Sequence, residues 1–416
     1  MKASNAGAGD TFGSSVALSS DGNTLAVGAP AEASSSTGIN STPNELAAQA
    51  GAAYVYARNA GTWLEQAYVK ASNTGATDLF GISVALSGDG NTLAVGAFGE
   101  SSSTTGINTT PDELAPFAGA AYVYTRSGST WAQQAYVKAS NTESGDAFGG
   151  SVALSGDGNT LAVGALGEAS STTGINSTPN ESALGAGAVY VYNRSGSTWA
   201  QQAYVKASNS GEGDNFGTSV ALSGDGNTLA VGAPFEDSST SGVGSTPDEL
   251  TSDAGAVYVF TRSGTTWSHQ AYVKASNPDT NFTGAALVGD QFGSSVALSA
   301  DGNSLAAGAI GESSGRTGVI AGTVDEAAAG NDALLSGAVY VLTRSGTNWS
   351  QQAYVKASNT DASDSFGTSV ALSSDANTLA IGARFEDGGG TGIRSSTDIM
   401  ANPNDLTSNA GAVYLY

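Results

Sequence analysis

The dipeptide Phe-Gly recurs six times along this chain at nearly even spacing, and this repetition constrains the fold more than any other feature. Successive copies are 68, 68, 68, 76 and 74 residues apart, at Phe12, Phe80, Phe148, Phe216, Phe292 and Phe366. Each dipeptide opens a similar stretch of sequence, so the chain is an array of six units. Such units bury their apolar faces by stacking on their neighbours. We therefore predict that residues 1–416 form a single domain.

Four short strands are predicted in each unit. In the third unit they are residues 151–155, 160–165, 187–192 and 199–208, all with apolar or β-branched residues at alternate positions. Gly-Asp-Gly-Asn joins the first two strands and is typical of a tight hairpin, because Asp-Gly readily adopts the positive φ angles of such turns. The segment at 42–48 and its equivalents are expected to form one helical turn, since Pro43 suits the first position of a helix.

The residues on both faces of these strands are apolar or small, so each predicted sheet needs cover on both sides. Four-stranded antiparallel units that stack face to face are typical of a β-propeller. A β-sandwich is the competing all-β fold, but it does not explain six copies of one four-strand unit. The sequence therefore predicts an all-β, six-bladed β-propeller of four-stranded antiparallel blades.

The motif itself resembles a known family. Phe-Gly-x-Ser-Val-Ala-Leu at 12–18, followed by Leu-Ala-Val-Gly-Ala-Pro at 25–30, is similar to the FG-GAP repeat of integrin α-subunit propellers, and most similar to the bacterial variety found in large surface and secreted proteins. The resemblance covers all six copies. It implies a propeller in which the start of the chain supplies the outer strand of the last blade, so we expect residues 1–5 to close the ring. The alternative is that this chain is trimmed from a longer array of repeats, which would begin and end at the same points of the repeat.

Composition excludes several classes of function. The chain has 37 acidic and 14 basic residues, and a formal charge of −23 disfavours a nucleic-acid partner, which needs clustered lysine and arginine. The absence of cysteine excludes thiol chemistry and disulfides, and the single histidine, His269, occupies a position that holds Glu or Gln in other copies. No apolar run is long enough to span a membrane, and residues 1–30 lack the charged region followed by an apolar region that is typical of a signal peptide. If the protein is secreted, its signal peptide has been removed from this sequence.

Strand order assigns the loops to two ends of each blade. The connections between strands 1 and 2 and between strands 3 and 4 lie at one end. The long connection between strands 2 and 3, which we call the 2–3 loop, lies at the other end with the connection to the next blade. Nearly all of the net negative charge falls at this second end, which would concentrate cations.

The acidic residues that follow each Gly-Ala turn are candidate metal ligands. Calcium takes six to eight oxygen ligands, and a 2–3 loop rich in carboxylates and hydroxyls offers such atoms. The candidates are Glu32, Glu100, Glu168, Glu236, Asp237, Glu312, Glu386 and Asp387. A solvated loop carboxylate is the alternative. Integrin-like repeats carry a calcium loop in the 1–2 hairpin instead, but here that hairpin is shorter and has one aspartate, which turn chemistry alone explains.

Two other recurring residues have a structural and a functional interpretation. An aspartate lies two residues before each Phe, as in Asp146, and is expected to fix the loop through an Asx-turn, with a ring of carboxylates as the alternative. A tryptophan opens the fourth strand of five copies, as in Trp199. Packing between blades is the expected role, and sugar stacking is the alternative.

The fifth and sixth copies depart most from the repeat, so a ligand site confined to one place is expected there. The candidate ligand-binding residues in their rebuilt loops are Arg316, Asp325, Glu326, Arg384, Phe385 and Arg394. Drift in surface loops, which tolerate change, is the alternative explanation.

These observations predict a non-enzymatic binding or adhesion module, located outside the cell or at its surface, that uses its acidic loops. A protein or a glycan is the expected ligand, calcium is a candidate ion, and neighbouring domains or copies in a larger surface assembly are candidate partners. A calcium-dependent lectin and a structural unit of a surface protein or filament are the alternatives. Oligomeric state and ligand identity stay open.

Overall fold

The computed structural model describes residues 1–278, 289–324, 330–388, 392 and 409–416, and every regular element in them is a β-strand. The first three blades each have four strands in chain order, with adjacent strands antiparallel. Their bounds are β1 Ser15–Leu18, β2 Thr24–Ala29, β3 Ala52–Asn59, β4 Thr62–Val69, β5 Ser83–Leu86, β6 Thr92–Ala97, β7 Ala120–Ser127, β8 Thr130–Val137, β9 Phe148–Leu154, β10 Thr160–Ala165, β11 Ala188–Ser195 and β12 Thr198–Val205.

The last three blades follow the same order with two variations. The fifth blade carries a short extra strand, β19, that pairs with its outer strand β21, and the sixth blade has three strands among the described residues. Their bounds are β13 Ser219–Leu222, β14 Thr228–Ala233, β15 Ala256–Ser263, β16 Thr266–Val273, β17 Phe292–Leu298, β18 Ser304–Ala309, β19 Val319–Ala321, β20 Ala338–Ser345, β21 Asn348–Val355, β22 Phe366–Leu372, β23 Leu379–Ala383 and β24 Ala412–Leu415.

The chain divides into two compact units, Met1–Glu212 with Val220–Gly226 and Gly213–Ser219 with Asn227–Tyr416. The first unit contains β1 to β12, and the second contains β14 to β24. The organisation of residues 1–416 as one domain stays a prediction.

Successive side chains along each strand point to opposite faces of the blade, and the two faces differ in composition. In the third blade, Leu161 and Val163 contribute to a face that also carries Phe148, Tyr190 and Trp199, which we call the aromatic face. The opposite face of a blade is built from alanine and valine, and we call it the aliphatic face. In the second blade the aliphatic face consists of Ala94, Ala121, Val123, Ala135 and Val137. These two faces belong to one buried cluster, so the aliphatic face of one blade packs on the aromatic face of the next.

Close approach of neighbouring blades explains the glycine of the Gly-Ala turn. A Cβ atom on Gly96 would lie 1.9 Å from the carbonyl oxygen of Gly149 in the next blade. The same oxygen accepts a hydrogen bond of 2.8 Å from Ser83 Oγ. A side chain at Gly96 would therefore push the second and third blades apart, and only glycine fits.

The prediction of a six-bladed, all-β propeller fold is confirmed. The predicted third and fourth strands differ slightly in extent, because β11 continues to Ser195 and β12 ends at Val205. The predicted helical turn at 42–48 is wrong. Asn44 forms a side-chain turn there instead, in which its Oδ1 accepts the N–H of Leu46 at 3.1 Å.

The first residues of the chain pack against the first blade. Ala3 is buried there, and the Tyr56 hydroxyl donates a hydrogen bond of 3.0 Å to the carbonyl oxygen of Lys2. In the same way, Tyr124 of the second blade donates to the carbonyl oxygen of Lys70 at 2.9 Å. Residues 2–5 thus take the place that the end of a preceding fourth strand takes on other blades. Closure of the ring by this fragment stays a prediction.

Candidate functional site

The glutamate that follows the Gly-Ala turn lies in a buried polar cluster. In the third blade, Lys206 Nζ lies 2.8 Å from Glu168 Oε2. The Tyr204 hydroxyl and Asn141 Nδ2 donate to Oε1 at 2.7 and 3.0 Å, and the Ser170 N–H donates to Oε2 at 3.1 Å. Both carboxylate oxygens are therefore used by protein groups.

The same ion pair recurs in five blades. The lysine is the last residue before each Ala-Ser-Asn segment, and the distance from its Nζ to the glutamate is between 2.6 and 2.9 Å. The pairs are Lys70 with Glu32, Lys138 with Glu100, Lys206 with Glu168, Lys274 with Glu236, and Lys356 with Glu312. The pairing joins the 2–3 loop to the end of the fourth strand of the same blade.

Burial sets the electrostatics of this cluster. Desolvation lowers the pKa of Lys138, and the charge and hydrogen bond of Glu100 oppose that shift. Desolvation also raises the pKa of Tyr136 above its ordinary range, with the charge of Glu100 adding to it, so this hydroxyl stays a donor. A buried ion pair is costly unless its remaining hydrogen-bonding capacity is satisfied, and here it is.

The predicted metal ligands do not fit a calcium site. Their oxygens bind lysine, tyrosine and asparagine groups, and no group of three or more acidic or histidine side chains among the described residues is placed to hold a metal ion. In the sixth blade, Glu386 accepts from Asn359 at 2.7 Å and from Tyr414 at 2.9 Å. Asp237 and Asp387 accept backbone N–H groups of their own loops, from Asp253 and Asn409.

The aspartate before each Phe-Gly is buried and closes a turn. Asp146 Oδ2 accepts the N–H of Glu143 at 2.8 Å, and Asp78 Oδ2 accepts the N–H of Gly75 at 2.6 Å. Burial raises the pKa of Asp78, Asp146 and Asp364 to about 7. This geometry agrees with the structural role expected for these residues.

The hairpin aspartates also have a local role. Asp157 Oδ1 accepts from Ser155 Oγ at 2.5 Å and from the N–H of Asn159 at 2.9 Å. In the first blade the equivalent bonds, from Ser19 first and then Asn23, lower the pKa of Asp21 to about 2. Turn chemistry therefore accounts for the Asp-Gly-Asn sequence, as expected.

The tryptophans pack between blades. Trp199 is buried, its Nε1 donates to Gln134 Oε1 of the preceding blade at 2.8 Å, and the Arg194 guanidinium lies 5.3 Å from its ring centroid. Trp131, Trp267 and Trp349 are buried as well. These rings are not available to stack on a sugar. His269 is exposed on the outer strand, beside Phe260.

Three of the predicted ligand-binding residues are described. Arg316 is half-buried, and Arg384 and Phe385 are exposed, with the Arg384 guanidinium 5.1 Å from the Phe385 ring centroid. Asp325, Glu326 and Arg394 lie outside the described residues. The role of all six in ligand binding stays a prediction.

Sequence reasoning missed a set of exposed leucines in the 2–3 loops. Their side chains are between 49% and 80% exposed, and they are Leu46, Leu114, Leu184, Leu250 and Leu334. The loops that present them are held by hydrogen bonds, since Asp112 Oδ1 accepts the N–H of Ser103 at 2.7 Å and that of Leu114 at 3.3 Å. For three of the five, the signal in the sequence was the recurring Thr-Pro-Asn/Asp-Glu-Leu, in which the leucine (Leu46, Leu114 or Leu250) follows polar residues.

Carboxylates accompany these leucines. An exposed glutamate lies one residue before the leucine in three loops and three residues before it in another, and these are Glu45, Glu113, Glu249 and Glu181. Desolvation and the neighbouring Glu100 raise the pKa of Glu113 above its ordinary value. The 2–3 loops therefore combine exposed apolar and exposed acidic side chains at one end of the blades.

Solved structures of low sequence identity resemble this chain. One is a protein assigned as a 6-phosphogluconolactonase from Bacteroides uniformis, with 11% sequence identity, a TM-score of 0.47, and a match that covers 89% of this chain and 78% of the other. Another is the periplasmic gluconolactonase of Pseudomonas aeruginosa, with 16% identity, a TM-score of 0.44, and a match that covers 89% of this chain and 81% of the other. A third is the hydrazine synthase of Kuenenia stuttgartiensis, with 12% identity, a TM-score of 0.39, and a match that covers 92% of this chain and 96% of the other.

The prediction that the chain is not an enzyme is contradicted, because two of these similar structures carry the names of lactonases. An enzymatic class therefore stays open, although TM-scores below 0.5 assign no activity to this chain. No helix among the described residues is long and apolar enough to cross a membrane.

No curated protein sequence matches the chain. The model of the FG-GAP repeat matches residues 1–56, 63–124, 131–192, 199–260 and 349–396, which is more than half of the chain. The three middle matches begin in a fourth strand and end within the third strand of the next blade. This agrees with the packing of each Lys-Ala-Ser-Asn segment on the following blade. The chain belongs to the FG-GAP repeat family.

Proposed function

We propose that this protein is an extracellular binding or adhesion module that holds a protein partner with its 2–3 loops. The observation that carries this proposal is the set of exposed leucines, because an apolar side chain held in solvent by a hydrogen-bonded loop gains free energy when a partner covers it. In the first unit these are Leu46, Leu114 and Leu184, each presented by an equivalent loop.

Charge indicates the chemistry of the partner. Each of these three leucines lies within three residues of an exposed carboxylate, Glu45, Glu113 or Glu181. A partner that offers lysine or arginine next to apolar side chains would complement both features, and complementary charge raises the rate of association. Location outside the cell is supported by the resemblance to the bacterial FG-GAP repeats of surface and secreted proteins.

A binding measurement tests the proposal. The full chain is passed over an immobilised amphipathic peptide of leucine and lysine, and over the same peptide with glutamate in place of lysine. We expect binding to the first peptide only, weakening as salt is added. The triple variant Leu46→Ser, Leu114→Ser, Leu184→Ser should bind about tenfold more weakly or worse, because each buried leucine contributes roughly 1.5–3 kcal/mol.

The matched control is Leu64→Ser, which removes a leucine that is 61% exposed on the outer strand of the first blade. Its binding should equal that of the unmodified chain. Equal binding by the triple variant and the unmodified chain would contradict the proposal. Binding to a glycan array that is insensitive to the leucine replacements would favour the lectin alternative.

A further inference from the structure

The outer strand of the second blade is covered over only part of its length. β8 is the edge strand of its sheet, and the 2–3 loop of the same blade returns to pair with the end of β8. Ile107 bridges Val137, and the N–H of Asn108 donates to the carbonyl oxygen of Tyr136 at 2.8 Å. The loop then leaves the edge, so in the described part of the chain no strand pairs with the outer side of the first half of β8.

The side chain of Asn108 allows the loop to turn away at this point. Its Oδ1 accepts the N–H of Tyr136 at 2.9 Å, a bond that a backbone carbonyl would accept if the loop stayed extended. Its φ angle is +56°, in the left-handed region that asparagine tolerates better than most residues. Asn40 and Asn176 make the same contact in the first and third blades.

The fifth blade shows what fits on the part of the edge that the second blade leaves uncovered. There the loop stays extended as β19, and the N–H of Gly322 donates to the carbonyl oxygen of Gln352 at 2.7 Å. Gln351 Nε2 donates in return to the carbonyl oxygen of Gly322 at 2.8 Å. One residue of extended backbone therefore bonds a carbonyl group and a side-chain amide of this edge.

The second blade has the same two groups. Gln133 and Gln134 are the equivalents of Gln351 and Gln352, and Gln134 is the bulged residue that the register of β7 and β8 skips. A bulged residue is left out of the ladder, so its backbone can pair on the outer side of the sheet. Gln133 Nε2 donates to Ser72 Oγ at 3.2 Å in an exposed contact, which a peptide carbonyl can replace.

A cavity beside this edge indicates the side chains that a bound segment would carry. Its volume is about 580 Å³, and it is lined by Asn108, Gln133 and Gln134 of the second blade and by Ser197 and Thr198 of the third. No charged side chain of the described part of the chain lines it. Amides and hydroxyls both donate and accept hydrogen bonds, so the cavity suits uncharged polar side chains.

We propose that the uncovered part of β8 binds an extended segment of a partner protein, which adds to the sheet as a further strand and places serine, threonine or asparagine in the cavity. The segment accepts a hydrogen bond from Gln133 Nε2 and donates one to the carbonyl oxygen of Gln134, as Gly322 does at the equivalent edge of the fifth blade. An edge strand is a ready template for such pairing. This contact uses neither the exposed leucines nor their glutamates, so it is independent of binding by the 2–3 loops.

Disulfide trapping tests the contact, because the chain has no cysteine of its own. Ser197→Cys places a single thiol beside the cavity. The full chain is equilibrated with a pentapeptide of threonine and asparagine that ends in cysteine, at increasing concentrations of 2-mercaptoethanol, and the captured fraction is read from the intact mass. We expect half of the protein to stay captured at about tenfold more reductant than with a peptide in which alternate residues are proline, because proline lacks the N–H that pairs with the edge.

A matched pair of variants locates the bound strand. In the Ser197→Cys chain, Gln133→Glu replaces the amide donor by a carboxylate, and the preference for the threonine peptide should fall to less than about twofold. Gln201→Glu makes the same change one blade later, on the exposed outer strand of the third blade, and should keep the full preference. Thermal unfolding checks that both variants are folded.

Three results would overturn the proposal. The first is equal capture of the threonine and proline peptides. The second is a preference that Gln201→Glu removes and Gln133→Glu does not. The third is a neutral oligosaccharide, such as a trimer of N-acetylglucosamine, that blocks labelling of the thiol while the two peptides are captured equally, which would assign the cavity to a glycan.

Discussion

Two glutamates of the same loop have opposite surroundings. Glu168 begins the 2–3 loop of the third blade and is buried against Lys206, Tyr204 and Asn141. Glu181 lies thirteen positions later in the same loop and is exposed, three residues before Leu184. Residue type and loop membership therefore do not decide the role of a carboxylate in this protein. What decides it is whether a cation from another strand reaches it.

The first prediction has the largest effect and tests the buried member of this comparison. Glu168→Ala leaves the Lys206 ammonium buried without its partner, which costs about 3–5 kcal/mol when one member of a buried pair is removed. We expect that loss in the free energy of unfolding, measured by urea denaturation. The double variant Glu168→Leu, Lys206→Met should lose much less, because it leaves no buried charge. An equal loss in both variants would contradict the role of the ion pair.

The second prediction concerns the asparagine that links two blades. Asn141 donates to Glu168 and accepts the Tyr190 hydroxyl at 2.6 Å. Asn141→Ala removes a buried hydrogen-bond partner from both Glu168 and Tyr190. We therefore expect the free energy of unfolding to fall by about 1–3 kcal/mol in the same urea experiment. A loss as small as that of a surface substitution would show that the cluster does not join the blades.

The third prediction uses pH. Burial raises the pKa of Asp146 to about 7, so the folded state keeps a proton that the unfolded state has lost. Stability from this group therefore falls as pH rises from its ordinary pKa toward 7. Asp146→Asn retains an oxygen that accepts the Glu143 N–H. We expect a higher Tm than the unmodified chain at about pH 8 and little difference at about pH 5. The opposite pattern would contradict a raised pKa.

The fourth prediction has the smallest effect on stability and tests the exposed member of the comparison. Glu181→Gln and Leu184→Ser should change the free energy of unfolding by no more than about 0.5 kcal/mol, as is usual for surface residues without a structural contact. Their effect should appear in binding to the leucine and lysine peptide instead. A large loss of stability in either variant would mean that the loop tip has a structural role.

Local sequence was sufficient for much of the fold. The hairpin of Asp157 and Asn159 closes through bonds between residues two positions apart, so its chemistry is visible in the sequence. The alternation of Leu161 and Val163 with small residues predicts two covered faces, and packing between blades is the role expected of the tryptophans that open the fourth strands. Because the repeat recurs six times, the strands and hairpin predicted for one copy apply to every blade.

The candidate site was harder to predict because its contacts are distant in sequence. Lys206 lies 38 residues after Glu168, and Asn141 lies 27 residues before it in another blade. Both residues recur with the glutamate at nearly constant spacing, which is a signal that sequence reasoning could have used. Without that signal, a loop rich in carboxylates resembled a metal site.

The sequence by itself determined the number of blades, their strands and their hairpins, because those depend on periodicity and on turns of a few residues. The tertiary structure alone decided which acidic side chains are buried and which leucines face solvent. Those outcomes depend on which strand end meets which loop, and on which blade faces find a neighbour. Glu100 and Glu113 lie in the same loop, and only packing separates the buried residue from the exposed one.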